Sequence, residues 1–142
     1  MKNINCVSKM SRITEKAHRL IIRELEAHDI QGLVPSHGGI LSLLFTGEIY
    51  TMNDLAQKIH RTKPTLTVLV DKLTALGYVK KEKSPKDSRV TLIQLTEAGA
   101  ALQPSFETVS QKMNEVVYQG LTVSELGQLE NLLERIQKNL KE

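Results

Sequence analysis

Cysteine is almost absent from this chain of 142 residues. Cys6 stands alone, so no internal disulfide framework can form. The four histidines (18, 28, 37 and 60) are scattered, with no His-x-x-x-His or Cys-x-x-Cys spacing, and no metal site is expected. Long apolar runs are missing too, which excludes a bilayer-spanning helix and leaves no membrane partner. Lys2, Lys9, Arg12 and Lys16 interrupt any secretory apolar core at the N-terminus. There is no nucleophile elbow, no phosphate loop and no dinucleotide fingerprint, so no catalytic residue and no cofactor is expected. Short internal repeats and low-complexity segments are likewise absent. These absences imply a non-enzymatic, cytoplasmic protein of one domain, burying roughly two-thirds of its unfolded surface.

What is present centres on Thr51–Leu95. Thr51-Met52-Asn53-Asp54 has a capping-box pattern, with Asp54 in place of the usual Glu or Gln. Met52, Leu55, Ala56 and Ile59 follow at helical spacing. After a break at His60-Arg61-Thr62 a second helix starts, with Pro64 tolerated in its first turn. Leu66, Leu69, Val70, Leu73 and Leu76 share one face, and Gly77 ends the helix. Tyr78–Lys83 and Val90–Leu95 read as strands around a turn-rich tip, Ser84–Arg89. Two helices, a tight turn and a basic hairpin describe a winged helix-turn-helix, whose second helix can enter a DNA major groove.

Charge follows the same outline. Residues 58–89 hold nine Lys or Arg against three acids, a net +6, whereas residues 1–57 balance and residues 90–142 carry −3. Positive charge is concentrated on the reading unit, as phosphate binding requires. A winged helix used purely as a protein-binding module is the alternative, and the basic face argues against it. An RNA-binding module would need stacking aromatics, and Tyr78 is the sole aromatic between Thr51 and Leu95.

In these residues the chain resembles the MarR (multiple-antibiotic-resistance regulator) family of bacterial transcription factors. The resemblance runs through Leu66-Thr67-x-Leu69-Val70-Asp71-Lys72-Leu73-x-x-x-Gly77-Tyr78-Val79, then Ser84-Pro85-x-Asp87-x-Arg89, then Leu95-Thr96-x-x-Gly99. It implies a mainly α fold with a small β-hairpin wing: a winged helix-turn-helix part at about 36–95 and dimerisation helices at about 7–28 and 96–140. It also implies a homodimeric repressor of a double-stranded, inverted-repeat operator, released by a small-molecule effector. The DNA-binding residues it implies are Lys63, Thr65, Thr67, Val68 and Lys72 on the reading helix and Lys86, Asp87 and Arg89 on the wing. Arg89 would reach a minor groove with Asp87 orienting it, although Asp87 could equally serve the turn. Val68 departs from the family, many of whose members carry a basic residue there, and this implies a different base preference.

The flanking segments read as helices. Ile13, Ala17, Leu20, Ile21 and Leu25 stripe a helix from about Val7 to His28. After breaks at Gly32 and Pro35, Ser36–Phe45 forms another, in which Gly38-Gly39 implies either close helix packing or a small-molecule pocket. His37 reads as a helix-start residue. Beyond the wing, Thr96 is expected to cap one long helix to about Gln119, kinked at Pro104. Thr122-Val123-Ser124-Glu125 is a capping box opening a last helix seamed by Leu126, Leu129, Leu133, Ile136 and Leu140. The terminal stripes need cover, either from a second copy or from an intramolecular bundle. Cys6, with Lys2 and Lys9 nearby, is either an oxidant-sensing thiol, as in some MarR relatives, or a bystander; the first two helices offer no tyrosine to hold its oxidised form.

Overall fold

Helices arise where apolar residues repeat at helical spacing, and a small sheet forms where Val79 and Ile93 turn inward from otherwise more exposed strands. The computed structural model describes residues 4–141. In chain order the elements are α1 (Cys6–Ala27), α2 (Pro35–Leu44), β1 (Tyr50–Thr51), α3 (Met52–Lys58), α4 (Lys63–Ala75), β2 (Val79–Lys83), β3 (Thr91–Leu95), α5 (Glu97–Ala100), α6 (Gln103–Val117) and α7 (Val123–Asn139). The fold is mainly helical with a small antiparallel sheet, as the sequence leads one to expect.

The core lies between α2, α3, α4 and the sheet. Ile40, Leu41, Leu55, Leu66, Val70, Leu73 and Ile93 are completely buried. Burial of side chains of this size contributes roughly 1.5–3 kcal/mol each. α1 closes one side through Leu25 and packs along α6, whose Phe106 and Val109 are also buried. The rings of Phe45 and Phe106 meet edge to face at 5.6 Å. Gly38 sits beside this junction: a Cβ there would lie 3.5 Å from the Phe106 ring, an ordinary contact.

The sheet has the order β1-β3-β2, with Tyr50 opposite Ile93 and Val79 opposite Leu95. β1 is not readable in the sequence, because two residues are too short to show alternation.

One expected element is refined: the helix expected from Thr96 to about Gln119 is interrupted before Pro104 into α5 and α6, with Ala101 and Leu102 between them still at right-handed helical angles. Proline lacks an amide and its ring clashes with the carbonyl four residues back. The chain therefore ends α5 at Ala100 and restarts at Gln103, which places Pro104 in a first turn where no intrahelical amide is needed.

Thr96 caps α5 by accepting from the Gly99 amide (3.1 Å), and its hydroxyl donates to the Gly77 carbonyl. The Thr96 amide donates to the Tyr78 carbonyl at 3.1 Å. These bonds bring α5 so close to Tyr78 that a Cβ on Gly99 would overlap the Tyr78 carbonyl oxygen. The Leu-Thr-x-x-Gly pattern thus has a steric cause. Gly99→Ala is expected to cost about 3 kcal/mol in urea unfolding, because the obstacle is backbone and cannot swing aside. A loss under 0.5 kcal/mol would show that α5 shifts freely.

α7 opens as expected. The Thr122 hydroxyl accepts from the Glu125 amide (3.1 Å), and the Glu125 carboxylate accepts from the Thr122 amide (2.9 Å). The bond from the Thr122 amide, and next the Thr122 hydroxyl beside it, hold the Glu125 carboxyl below the usual carboxylate range. Yet α7 contains no buried residue; of its expected stripe Leu129, Leu133 and Ile136 are 40%, 38% and 38% exposed, and Leu140, just past its end, 75%. An intramolecular bundle therefore does not cover this stripe.

Candidate nucleic-acid interface

The reading unit begins at α3. Its Thr51 cap accepts from the Asp54 amide at 3.0 Å, one half of a capping box. The Asp54 carboxylate makes no return bond among the described residues, being one methylene shorter than Glu. α3 ends by turning sharply. The Arg61 amide reaches back to the Ala56 carbonyl (3.0 Å), and His60 takes a left-handed conformation (φ 54°) usually left to glycine. This closes the tight turn between α3 and α4. Thr62 then caps α4 and Pro64 occupies its first turn.

α4 is held from below. Leu66, Val70 and Leu73 are inserted in the core, which fixes the opposite face outward. Lys63, Thr65, Thr67, Val68, Asp71 and Lys72 are all exposed. The helix stops with paired bonds from the Gly77 amide to Thr74 O and the Tyr78 amide to Leu73 O, both 3.0 Å, with Gly77 at φ 83°. The chain passes directly into β2 and the wing.

The wing tip is built by Asp87. Its Oδ1 accepts from the Arg89 amide (3.0 Å) and from Arg89 Nε (3.1 Å), while Oδ2 accepts from Nη2 (3.2 Å). Asp87 thus bonds both the turn backbone and the guanidinium, the latter through a fork that Lys could not reproduce. The Arg89 side chain beside it, and next the Arg89 amide, hold the Asp87 carboxyl below its ordinary value. The Arg89 side chain is otherwise 88% exposed. Ser84 Oγ accepts from the Lys86 amide (3.2 Å), and Lys86 projects from the tip.

Between wing and helices lies a cleft of about 340 Å³ bordered by Asn53, Lys63, Thr67, Lys81 and Arg89. Lys63 and Arg89, distant in sequence, thus face one space. Lys81 was not among the expected site residues. It pairs with Asp71 and ties the reading helix to β2. Strand alternation carried the signal: Val79 points into the core, so Lys81, two residues on, lies on the same helix-facing side. Lys72 stands apart from this cleft. Its ammonium lies near Gly32, in the connection between α1 and α2.

His37 is a helix-start residue, as expected: its Nδ1 accepts from the Val34 amide at 2.9 Å. It is 5% exposed, and burial, followed by the positive charge of Lys72, lowers its pKa. A neutral imidazole is what an accepting Nδ1 requires. Cys6 does not precede α1 but is its first residue, and it is exposed. Lys9 is also on α1; Lys2 lies outside the described residues.

A basic cleft shared by an outward helix and a projecting arginine wing defines the class: a winged helix-turn-helix protein built to meet a nucleic-acid duplex. Residues 32–90 match the family model described as MarR family. The chain is 27% identical over 136 residues to the HTH-type transcriptional regulator MhqR of Bacillus subtilis, covering 94% of this chain and 93% of that one. Among solved structures it resembles a mutant Escherichia coli MarR complexed with operator DNA (TM-score 0.81, 25% identity, 91% of each chain). It also resembles MepR of S. aureus in a DNA complex (TM-score 0.87, 22% identity, 97% of this chain and 100% of that one). Residues 32–90 thus match the MarR family, and over nearly its whole length the chain is similar to winged-helix transcriptional regulators of that family. These relatives are regulators rather than enzymes.

Proposed function

We propose that two copies of this chain form a two-fold homodimer that represses transcription by holding operator DNA. Each copy lays α4 in a major groove and passes Arg89 into the adjacent minor groove, where the negative potential is enhanced. Lys63, Lys81 and Lys86 meet phosphates along the way. The observation that carries this reading is the cleft in which Lys63 of α4 and Arg89 of the wing converge. The MarR and MepR structures hold DNA with the same fold, which supports carrying the interface over to this chain.

Dimerisation rests on the uncovered stripe of α7, with Ile4, Val7 and Ile13 exposed at the other end of the chain. A small-molecule effector fits a cleft of about 260 Å³ between α1, α2 and α6, walled by Ile21, Leu25, Val34, Gly38, Phe106 and Met113. It joins the terminal helices to the reading unit, so a ligand there would alter the spacing of two reading heads. Gly38 leaves its wall open, and since a Cβ there would make only an ordinary contact with Phe106, pocket rather than close packing is the role we assign it. No helix among the described residues is long and apolar enough to cross a membrane, in keeping with a cytoplasmic regulator.

Footprinting tests the two-fold geometry. An inverted repeat with half-sites about 10 base pairs apart, centre to centre, is expected. Protection of a single asymmetric half-site by one subunit would refute it.

A further inference from the structure

The outward face of α4 has little of the chemistry that reads base edges by hydrogen bonds. Its sequence, Lys63–Ala75, contains no Arg, Asn or Gln, and of the side chains that pair with guanine or adenine through two bonds it holds only Lys63 and Lys72. Lys63 lies in the first turn and borders the wing cleft, and Lys72 is drawn toward Gly32. Asp71 is engaged by Lys81.

Of the nearby threonine hydroxyls, those of Thr62 and Thr67 are spent within the protein, while Thr65 accepts and keeps its own proton. The Thr67 hydroxyl donates to the Lys63 carbonyl at 2.9 Å, and the Thr62 hydroxyl donates to Thr65 Oγ1 at 3.1 Å. A Thr67 hydroxyl spent on its own helix has no proton left for a base.

Val68 occupies the centre of this face. At about 100° per residue, Val68 falls opposite the buried trio Leu66, Val70 and Leu73, with Pro64 and Ala75 a turn or two away on the same line. Val68 is 69% exposed. An isopropyl group held outward by a packed helix is a liability in water unless something apolar covers it in the bound state. The major groove offers one apolar group, the C5-methyl of thymine.

We propose that Val68 reads the C5-methyl group of a thymine, so that each half-site carries a thymine facing the middle of α4. This deepens the DNA-binding reading above and rests on it. Recognition at the centre of the half-site is then by shape and apolar contact, while Arg89 and the lysines supply position and affinity.

The test uses the full-length protein and a duplex selected by it from a random library. Each thymine of the selected half-site is replaced singly by deoxyuridine, which removes the methyl and keeps every hydrogen bond. One position is expected to lose affinity about fourfold, the value of one buried methyl-sized group. The exposed variant Val68→Ser should bind thymine and deoxyuridine at that position equally. Affinity indifferent to deoxyuridine at every position, or a loss of the same size in Val68→Ser, would overturn the inference while leaving DNA binding intact. Failure of the library to yield any bound sequence would instead sink the DNA-binding reading, and this inference with it.

Discussion

Removing residues 122–142 is expected to convert the protein from dimer to monomer, or to aggregate, and to reduce operator affinity by orders of magnitude. α7 presents Val123, Leu129, Leu132, Leu133, Ile136 and Leu140 with 38–88% of each surface in contact with water. Full burial of such side chains is worth roughly 1.5–3 kcal/mol each, on the order of 10 kcal/mol in all before the cost of association. Because α7 contributes no buried residue, the core around Leu66, Val70 and Ile93 should survive the truncation. Sedimentation and circular dichroism together separate the outcomes. A soluble truncation that is still fully dimeric would contradict the assignment of α7 to the interface.

The second large effect lies at the wing. Arg89→Ala is expected to weaken operator binding about tenfold or more and to flatten its salt dependence. Asp87→Ala is expected to weaken binding about threefold, although it removes a negative charge from a surface that meets phosphates. The reason is geometric: Asp87 holds Arg89 through Nε (3.1 Å) and Nη2 (3.2 Å), and a free guanidinium must be ordered anew on binding. In the Arg89→Ala background Asp87→Ala should have little further effect. Tighter binding by Asp87→Ala, or an effect independent of Arg89, would leave turn formation as the whole role of Asp87.

The reading unit was legible because its signals are local and redundant. Thr51, Pro64 and Gly77 each mark a helix end, and Leu66, Val70 and Leu73 mark the buried face between them. The pairing of Asp87 with Arg89 was suggested by the family resemblance, with turn formation left open beside it, and their closeness in sequence makes both contacts local. What stayed hidden depends on distant contacts. β1 exists because Tyr50 meets Ile93 across the chain. Lys81 joins the site because α4 brings Asp71 against β2. Pro104 disturbs the helix as expected, but the interruption falls at Ala101-Leu102, which keep right-handed helical angles while the regular bonding pattern lapses. Lys72 shares a helix with Lys63 yet turns toward Gly32, a placement that helical spacing does not specify.

The central claim is that this basic cleft, helix and wing recognise a particular duplex. Competition binding of the full-length protein, with a library-selected operator against random duplex across a range of salt, tests it most directly. The operator is expected to bind at least about 10³-fold more tightly than random sequence, and affinity for both should fall steeply as salt rises. Equal affinity for the two duplexes, or binding that salt does not weaken, would contradict it.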